Sequence, residues 1–198
     1  MVYKRGTSLD LPILVAYSTR TGSTGEVAEF IAADLRRAGL AVELARMRDI
    51  RSLNSYGAVI LGAPIYMRRL PSEALRFLRR FRSQIAGLPA WFYVLGPIRG
   101  KQWEFREVEN QALCRLEEFP WLQPRDVKVF GGRFDPNHMP FPYNLSMHLP
   151  AFPLKDDPPS DVRDWNDIRA WTAGITDNLC LSFDFEGLTI RLDGALIV

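Results

Sequence analysis

The sequence has few of the residues that build disulfide frameworks and metal sites. Only two of its 198 residues are cysteines and only two are histidines. Cys114 and Cys180 lie far apart and form no CxxC pair, so reduced thiols in an intracellular protein are the simplest interpretation. His138 and His148 lie in a proline-rich segment without acidic or thiol neighbours at ligand spacing. We therefore nominate no metal ligand.

Long apolar runs and excess charge are also scarce. No run reaches the roughly 18 apolar residues of a membrane span, and the N-terminal residues lack the charged start and apolar core of a signal peptide. The formal net charge of +2 is too small to indicate a nucleic-acid partner. We therefore expect a cytoplasmic protein without a membrane span, and the 47% hydrophobic content suits one well-packed domain.

The sequence does contain a clear strand-loop-helix unit at residues 13–39. The unbroken apolar run from Ile13 to Tyr17 predicts a strand that is buried on both faces. A loop rich in hydroxyl groups follows. After Thr24, apolar residues recur at helical spacing as far as Leu35, and Gly39 marks the end of the helix.

The loop of this unit is suited to an anion. A helix that begins directly after a loop directs its unpaired N–H groups towards whatever the loop encloses. Gly22 permits close approach of the backbone or a positive φ. Four hydroxyl side chains add donors: they are Thr19, Thr21, Ser23 and Thr24. The segment matches neither GxxxxGK[ST] nor GxGxxG, so it predicts a phosphate monoester rather than a nucleoside triphosphate or a dinucleotide. The alternative is a polar turn that only caps the helix.

The same loop resembles that of the flavodoxins. Their first phosphate loop has the form [T/S]-x-T-G-x-T, and Thr19-Arg20-Thr21-Gly22-Ser23-Thr24 meets it directly after the first strand. The resemblance implies FMN as the cofactor, with its phosphate in the loop from Ser18 to Thr24. It also implies a redox function.

Alternating strands and helices predict an α/β fold. Further strands are expected at residues 40–47, 58–62, 90–95 and 127–134, and the last helix at 161–179. We predict a flavodoxin-like, doubly wound, five-stranded parallel sheet of order 2-1-3-4-5 with helices on both faces. The loops after strands one, three and four then meet at the carboxyl end of the sheet.

The second of these loops is expected to border the flavin ring. By resemblance it lays backbone and an aromatic or apolar side chain against the isoalloxazine; its residues are Pro64, Ile65, Tyr66 and Met67. Tyr66 is the stacking candidate. The alternative is a surface tyrosine in a turn.

The third loop is expected to meet the pyrimidine edge of the flavin with backbone N–H groups. By resemblance its residues are Gly96, Pro97, Ile98, Arg99 and Gly100. A positive charge from Arg99 or Lys101 would stabilise a negatively charged reduced flavin and raise its potential.

Three further marks are similar to the menaquinone-dependent protoporphyrinogen oxidases within this group. They are the loop start Ser18-Thr19-Arg20, a long insertion at residues 135–159 after the last core strand, and Asp164-Trp165 at the opening of the final helix. The resemblance implies a quinone or porphyrin redox partner. The insertion differs from the oxidase insertion, because it is proline-rich and aromatic rather than basic and helical. It either supplies an apolar substrate surface beside the flavin, from Phe141, Tyr143 and Phe152, or wraps the sheet as a structural element.

The tail at residues 180–198 contains two alternating apolar runs separated by Glu186-Gly187, which predict a C-terminal β-hairpin. It would cover an edge of the sheet or pair with a second copy in a homodimer. Residues 1–179 form the flavodoxin-like domain in this interpretation.

We predict an FMN-binding oxidoreductase with a small-molecule redox partner. The flavin carries the chemistry, so no catalytic side chain is nominated. The alternatives are a flavodoxin-type electron carrier to a protein partner and a binding module that has lost FMN.

Overall fold

The computed structural model describes residues 11–66, 68–136 and 157–188, with side chains as far as residue 180. The elements in chain order are β1 (Ile13–Tyr17), α1 (Ser23–Arg37), β2 (Val42–Arg46), β3 (Ala58–Pro64), α2 (Ser72–Arg80), α3 (Arg82–Ile85), β4 (Ala90–Leu95), α4 (Gln102–Leu116), β5 (Asp126–Phe130), β6 (Arg133–Phe134), β7 (Ser160–Asp161) and α5 (Trp165–Leu188).

The main sheet has the order β2-β1-β3-β4-β5, and every neighbouring pair is parallel. The order confirms the prediction from the sequence. β3 and β4 are buried along their whole length, as continuous apolar runs require in a parallel sheet covered on both faces.

Two apolar clusters cover the two faces of the sheet. One contains Leu14 of β1 together with the buried faces of α2, α3 and α4. The other contains Val15 together with those of α1 and α5. Because adjacent side chains of a strand point to opposite faces, the two clusters confirm helices on both sides.

The last core strand is shorter than predicted, because β5 ends at Phe130 rather than at residue 134. A Cβ at Gly131 would lie 2.0 Å from the carbonyl oxygen of Val162, so the returning chain crosses here. Gly132 donates its N–H to the carbonyl of Pro97 at 2.7 Å and accepts from the N–H of Val162 at 3.1 Å. The close approach at the two glycines is therefore with backbone of this chain.

The final helix begins later and ends later than predicted. It begins at Trp165 because the Asp164 carboxylate accepts from the N–H groups of Asn166 at 2.9 Å and Asp167 at 3.2 Å, which caps the first turn. It continues to Leu188, since no proline interrupts it and extending a helix costs less than starting a new element.

The assignment of residues 181–185 to the first strand of a hairpin is therefore wrong. The remainder of the predicted hairpin, from residue 189 onwards, lies outside the described residues. The antiparallel pair in the structure joins β6 to β7 and closes the base of the insertion.

Several predictions fall on residues that the structure does not describe. They concern Met67, the two histidines, and the insertion aromatics Phe141, Tyr143 and Phe152. None of the helices in the described ranges is long and apolar enough to cross a membrane.

Candidate functional site

A cavity of about 340 Å³ lies at the carboxyl end of the sheet. The loops after β1, β3 and β4 all contribute to its lining, as the strand order requires. Nine of the residues nominated from the sequence line it: Thr21, Ser23, Pro64, Ile65, Tyr66, Gly96, Pro97, Ile98 and Arg99. Their contact with a cofactor stays a prediction.

The loop after β1 is shaped by its own groups. Gly22 has a φ of 96°, a left-handed conformation that favours glycine, and α1 begins at the next residue. The N–H of Gly22 donates to the hydroxyl of Thr19 at 3.0 Å. Thr19 therefore fixes the loop from within rather than lining the cavity.

Thr24 supplies a test of whether the loop fits a phosphate. Its side chain is fully buried in the first turn of α1, and its hydroxyl oxygen has no hydrogen-bond partner among the described residues. A buried hydroxyl without a partner costs free energy, and a phosphate oxygen at the helix N-terminus would supply an acceptor. The hydroxyl-rich loop therefore fits the phosphate of FMN.

Other nominated residues lie off the cavity lining. Ser18 is buried, and its hydroxyl donates to Glu73 Oε2 of α2 at 3.2 Å. The guanidinium of Arg20 lies 6.0 Å from the centroid of the Tyr66 ring. Gly100 also lies outside the lining and contacts the returning chain, since its Cβ would lie 3.4 Å from Val162.

Tyr66 connects the first two loops. Its hydroxyl oxygen lies 3.4 Å from that of Thr21, and its backbone exchanges two hydrogen bonds with Arg69, at 3.0 and 2.9 Å. The side chain is half-buried at the cavity wall. Tyr66 is therefore held beside the phosphate loop, where a ring could lie against it.

Of the two cations expected to act on the flavin from the third loop, Arg99 is paired with carboxylates and Lys101 lies outside the cavity lining. The guanidinium of Arg99 pairs with Asp157 at 2.5 Å and with Glu104 at 3.3 Å, and its backbone N–H donates to Glu104 at 2.8 Å. Hydrogen bonding to Asp157, and then the charges of both carboxylates, raise the pKa of Arg99 above its ordinary value. Two carboxylates offset one guanidinium, so the group is net negative.

Sequence reasoning placed Trp103 only at the end of the third loop, for its backbone, and assigned no site role to Glu104 or to the later residues of α4. Trp103 is 56% exposed at the cavity, and Glu104 is 7% exposed. A signal was present, because Glu104 occupies the first position of a buried stripe that continues at Val108, Ala112 and Leu116. A glutamate on an apolar stripe indicates a specific partner.

The lining also includes Arg68 of the second loop, which was not nominated by name. Further lining residues come from outside the three loops that the sequence singled out: they are Glu107, Gln111, Gly132, Arg133 and Phe134. Arg133 and Phe134 belong to β6, which reaches the cavity only because the chain turns back after Phe130.

Solved structures of flavodoxins have an architecture similar to that of this chain. A short-chain flavodoxin associated with a non-canonical PDU bacterial microcompartment superposes with a TM-score of 0.55 at 15% identity, covering 85% of this chain and 99% of that one. A mutant flavodoxin from Pseudomonas aeruginosa gives a TM-score of 0.52 at 17% identity over the same shares. These likenesses show the fold.

Comparison of the amino-acid sequence identifies a relative of this chain and a protein family that it matches. The chain is 27% identical over 122 residues to the protoporphyrinogen IX dehydrogenase (quinone) of Escherichia coli strain K12, covering 60% of this chain and 67% of that protein. The sequence model of a flavodoxin domain family matches residues 14–156. The chain therefore belongs to the flavodoxin domain family, which supports FMN as its cofactor and a redox function.

Proposed function

We propose that the chain is an FMN-dependent oxidoreductase that oxidises protoporphyrinogen or a similar reduced porphyrin and delivers the electrons to a quinone. The observation that carries the proposal is the similarity, 27% over 122 residues, to an Escherichia coli protein named for that substrate and that acceptor. The cavity at the carboxyl end of the sheet gives the proposal a physical site.

Residues at one end of the cavity would hold the phosphate. Thr21 and Ser23 line it there, Thr24 offers a buried hydroxyl without a partner among the described residues, and the N-terminus of α1 is positive. When bound, FMN supplies the transfer of one or two electrons. The chain's own groups bind and orient it.

Two aromatic side chains of the lining would hold the flavin ring. Tyr66 is fixed through Thr21, and Trp103 stands at the start of α4. Flat aromatic groups stack favourably on one another, so either ring offers a face to the isoalloxazine. Because Trp103 is 56% exposed, it also leaves apolar surface available to a planar porphyrin or quinone.

The test is turnover by the full chain loaded with FMN and kept free of oxygen. Protoporphyrinogen and a soluble quinone are added, and the fluorescent porphyrin product is followed. We expect product only when both FMN and the quinone are present. The matched control is the chain stripped of flavin.

One result would favour the electron-carrier alternative instead. If the FMN-loaded protein can be reduced chemically and reoxidised by the quinone, yet forms no porphyrin, the porphyrinogen substrate is wrong. A redox protein with another electron donor would then remain.

A further inference from the structure

Four charged side chains form a network beside the loop that follows β1. Glu26, in the first turn of α1, lies 2.6 Å from Nη1 of Arg163 and 3.0 Å from Nη1 of Arg133. Asp161 of β7 pairs with Nη2 of Arg163 at 2.5 Å. We call these four residues the α1 charge cluster.

The cluster places a carboxylate next to the candidate phosphate loop. A Cβ at Gly22 would lie 3.9 Å from Oε1 of Glu26. A bare carboxylate at this distance from the loop would repel a phosphate dianion. The position of Glu26 is therefore compatible with phosphate only if the arginines offset its charge.

The two arginines differ in what they can do. The Arg163 side chain is 4% exposed, donates to both carboxylates and lies 4.8 Å over the Trp165 ring, so it is fixed in place. The Arg133 side chain is 39% exposed and lines the cavity together with Thr21 and Ser23. Arg133 meets Glu26 through Nη1, and a guanidinium carries further N–H donors in a planar fork.

We propose that Arg133 donates to the phosphate of FMN, while Glu26, which also accepts from the buried Arg163, holds the Arg133 guanidinium within reach. This inference rests on the proposed position of the phosphate at the loop from Thr19 to Thr24. An arginine–phosphate contact is charge-assisted and stronger than a neutral hydrogen bond. It adds a charged donor to the hydroxyl and amide donors of the loop.

If Arg133 contacts only the phosphate, it should affect the binding of FMN and not that of riboflavin, which has the same ring and no phosphate. The full chain is stripped of flavin, checked for folding by circular dichroism, and titrated with each ligand. The variants are Arg133→Gln and Arg133→Lys. The matched control is Arg79→Gln, on an exposed arginine of α2 away from the cavity.

We expect Arg133→Gln to weaken FMN binding about 10-fold or more and to leave riboflavin binding unchanged. Arg133→Lys keeps the charge and should retain part of the FMN preference. Arg79→Gln should change neither affinity. The FMN affinity of the unmodified chain should also fall more steeply with salt than that of Arg133→Gln.

The contrary outcomes are distinct. If Arg133→Gln keeps the full preference for FMN over riboflavin, Arg133 does not bind the phosphate, although the loop still can. If the variant loses both ligands equally, Arg133 acts on the ring or the fold, and the inference is wrong. If the unmodified chain binds the two ligands equally, the phosphate adds nothing to binding at the loop, and both the proposed phosphate position and the Arg133 contact fail, whereas the proposed redox function is decided separately by the turnover assay.

Discussion

The hydroxyl of Tyr93 lies 3.3 Å from the carbonyl oxygen of Thr24 and so joins β4 to the first turn of α1. Both residues are fully buried. Gly62, on the neighbouring strand β3, makes room for this contact, because a Cβ there would lie 2.1 Å from Cζ of Tyr93. The start of α1, and with it the candidate phosphate loop, is thus positioned from two central strands.

Gly62→Ala should lower the free energy of unfolding by about 1–3 kcal/mol, the usual cost of overpacking a core. The Tyr93 ring that the new methyl group would meet is fully buried. Urea unfolding measures the change. The control is Gly174→Ala on α5, where nothing lies within 4 Å of the added Cβ and a small gain from helix propensity is expected. Equal stability of Gly62→Ala and the unmodified chain would show that the site relaxes without cost.

Local signals were enough to predict much of the sheet and the loop between β1 and α1; that this loop binds a phosphate stays a prediction. The run from Ile13 to Tyr17 and the motif at residues 19–24 each lie within one stretch of chain. Alternating elements indicated a parallel sheet, and the flavodoxin resemblance implied its strand order. The contact between Arg133 and Glu26 could not be predicted, since 107 positions separate them and only the turn after Phe130 brings them together. A pattern of period two misassigned residues 181–185, which continue α5.

Trp103→Ala should weaken the binding of FMN and riboflavin alike, by about 5- to 10-fold, if the indole stacks on the ring that both ligands share. Titration by flavin fluorescence measures both affinities. Leu113→Ala is the control, because this residue is 45% exposed on the same helix and lies outside the cavity lining. Unchanged affinity in Trp103→Ala would leave stacking to Tyr66 alone.

Glu104→Gln should raise the two-electron reduction potential of the bound flavin. The substitution removes one of the two carboxylates that offset Arg99, so more positive charge faces a flavin that gains negative charge on reduction. A shift on the order of 30 mV is expected, which corresponds to ~1.4 kcal/mol for a two-electron couple. A spectroelectrochemical titration measures it, with the exposed Glu109→Gln on the same helix as control. A potential that falls or stays constant would contradict this electrostatic account.

Ionisation of Tyr56 should lower the free energy of unfolding at alkaline pH. Burial, followed by a hydrogen bond with Glu43, raises the pKa of Tyr56 from 10.0 to about 12. The folded state therefore keeps this proton after the unfolded state has lost it. The contribution of Tyr56 to the free energy of unfolding is fully present below pH 10 and is lost as the pH rises through about 12.

Tyr56→Phe should therefore show a shallower loss of unfolding free energy above about pH 10 than the unmodified chain. Urea midpoints measured from neutral to alkaline pH give both slopes. Buried Tyr93, whose pKa is also raised by burial, continues to contribute in the variant. Parallel curves for the two proteins would show that Tyr56 titrates alike in both states.

The most direct test of the FMN site is a visible-absorbance titration of the flavin-free chain with FMN, compared with Thr24→Val. Valine has nearly the shape of threonine but lacks the buried hydroxyl, which has no partner among the described residues. We expect perturbed flavin bands in the unmodified chain, and in Thr24→Val about 10-fold weaker FMN binding with unfolding free energy equal or higher. A folded chain that binds no FMN, or a variant that binds it as tightly as the unmodified chain, would contradict the account.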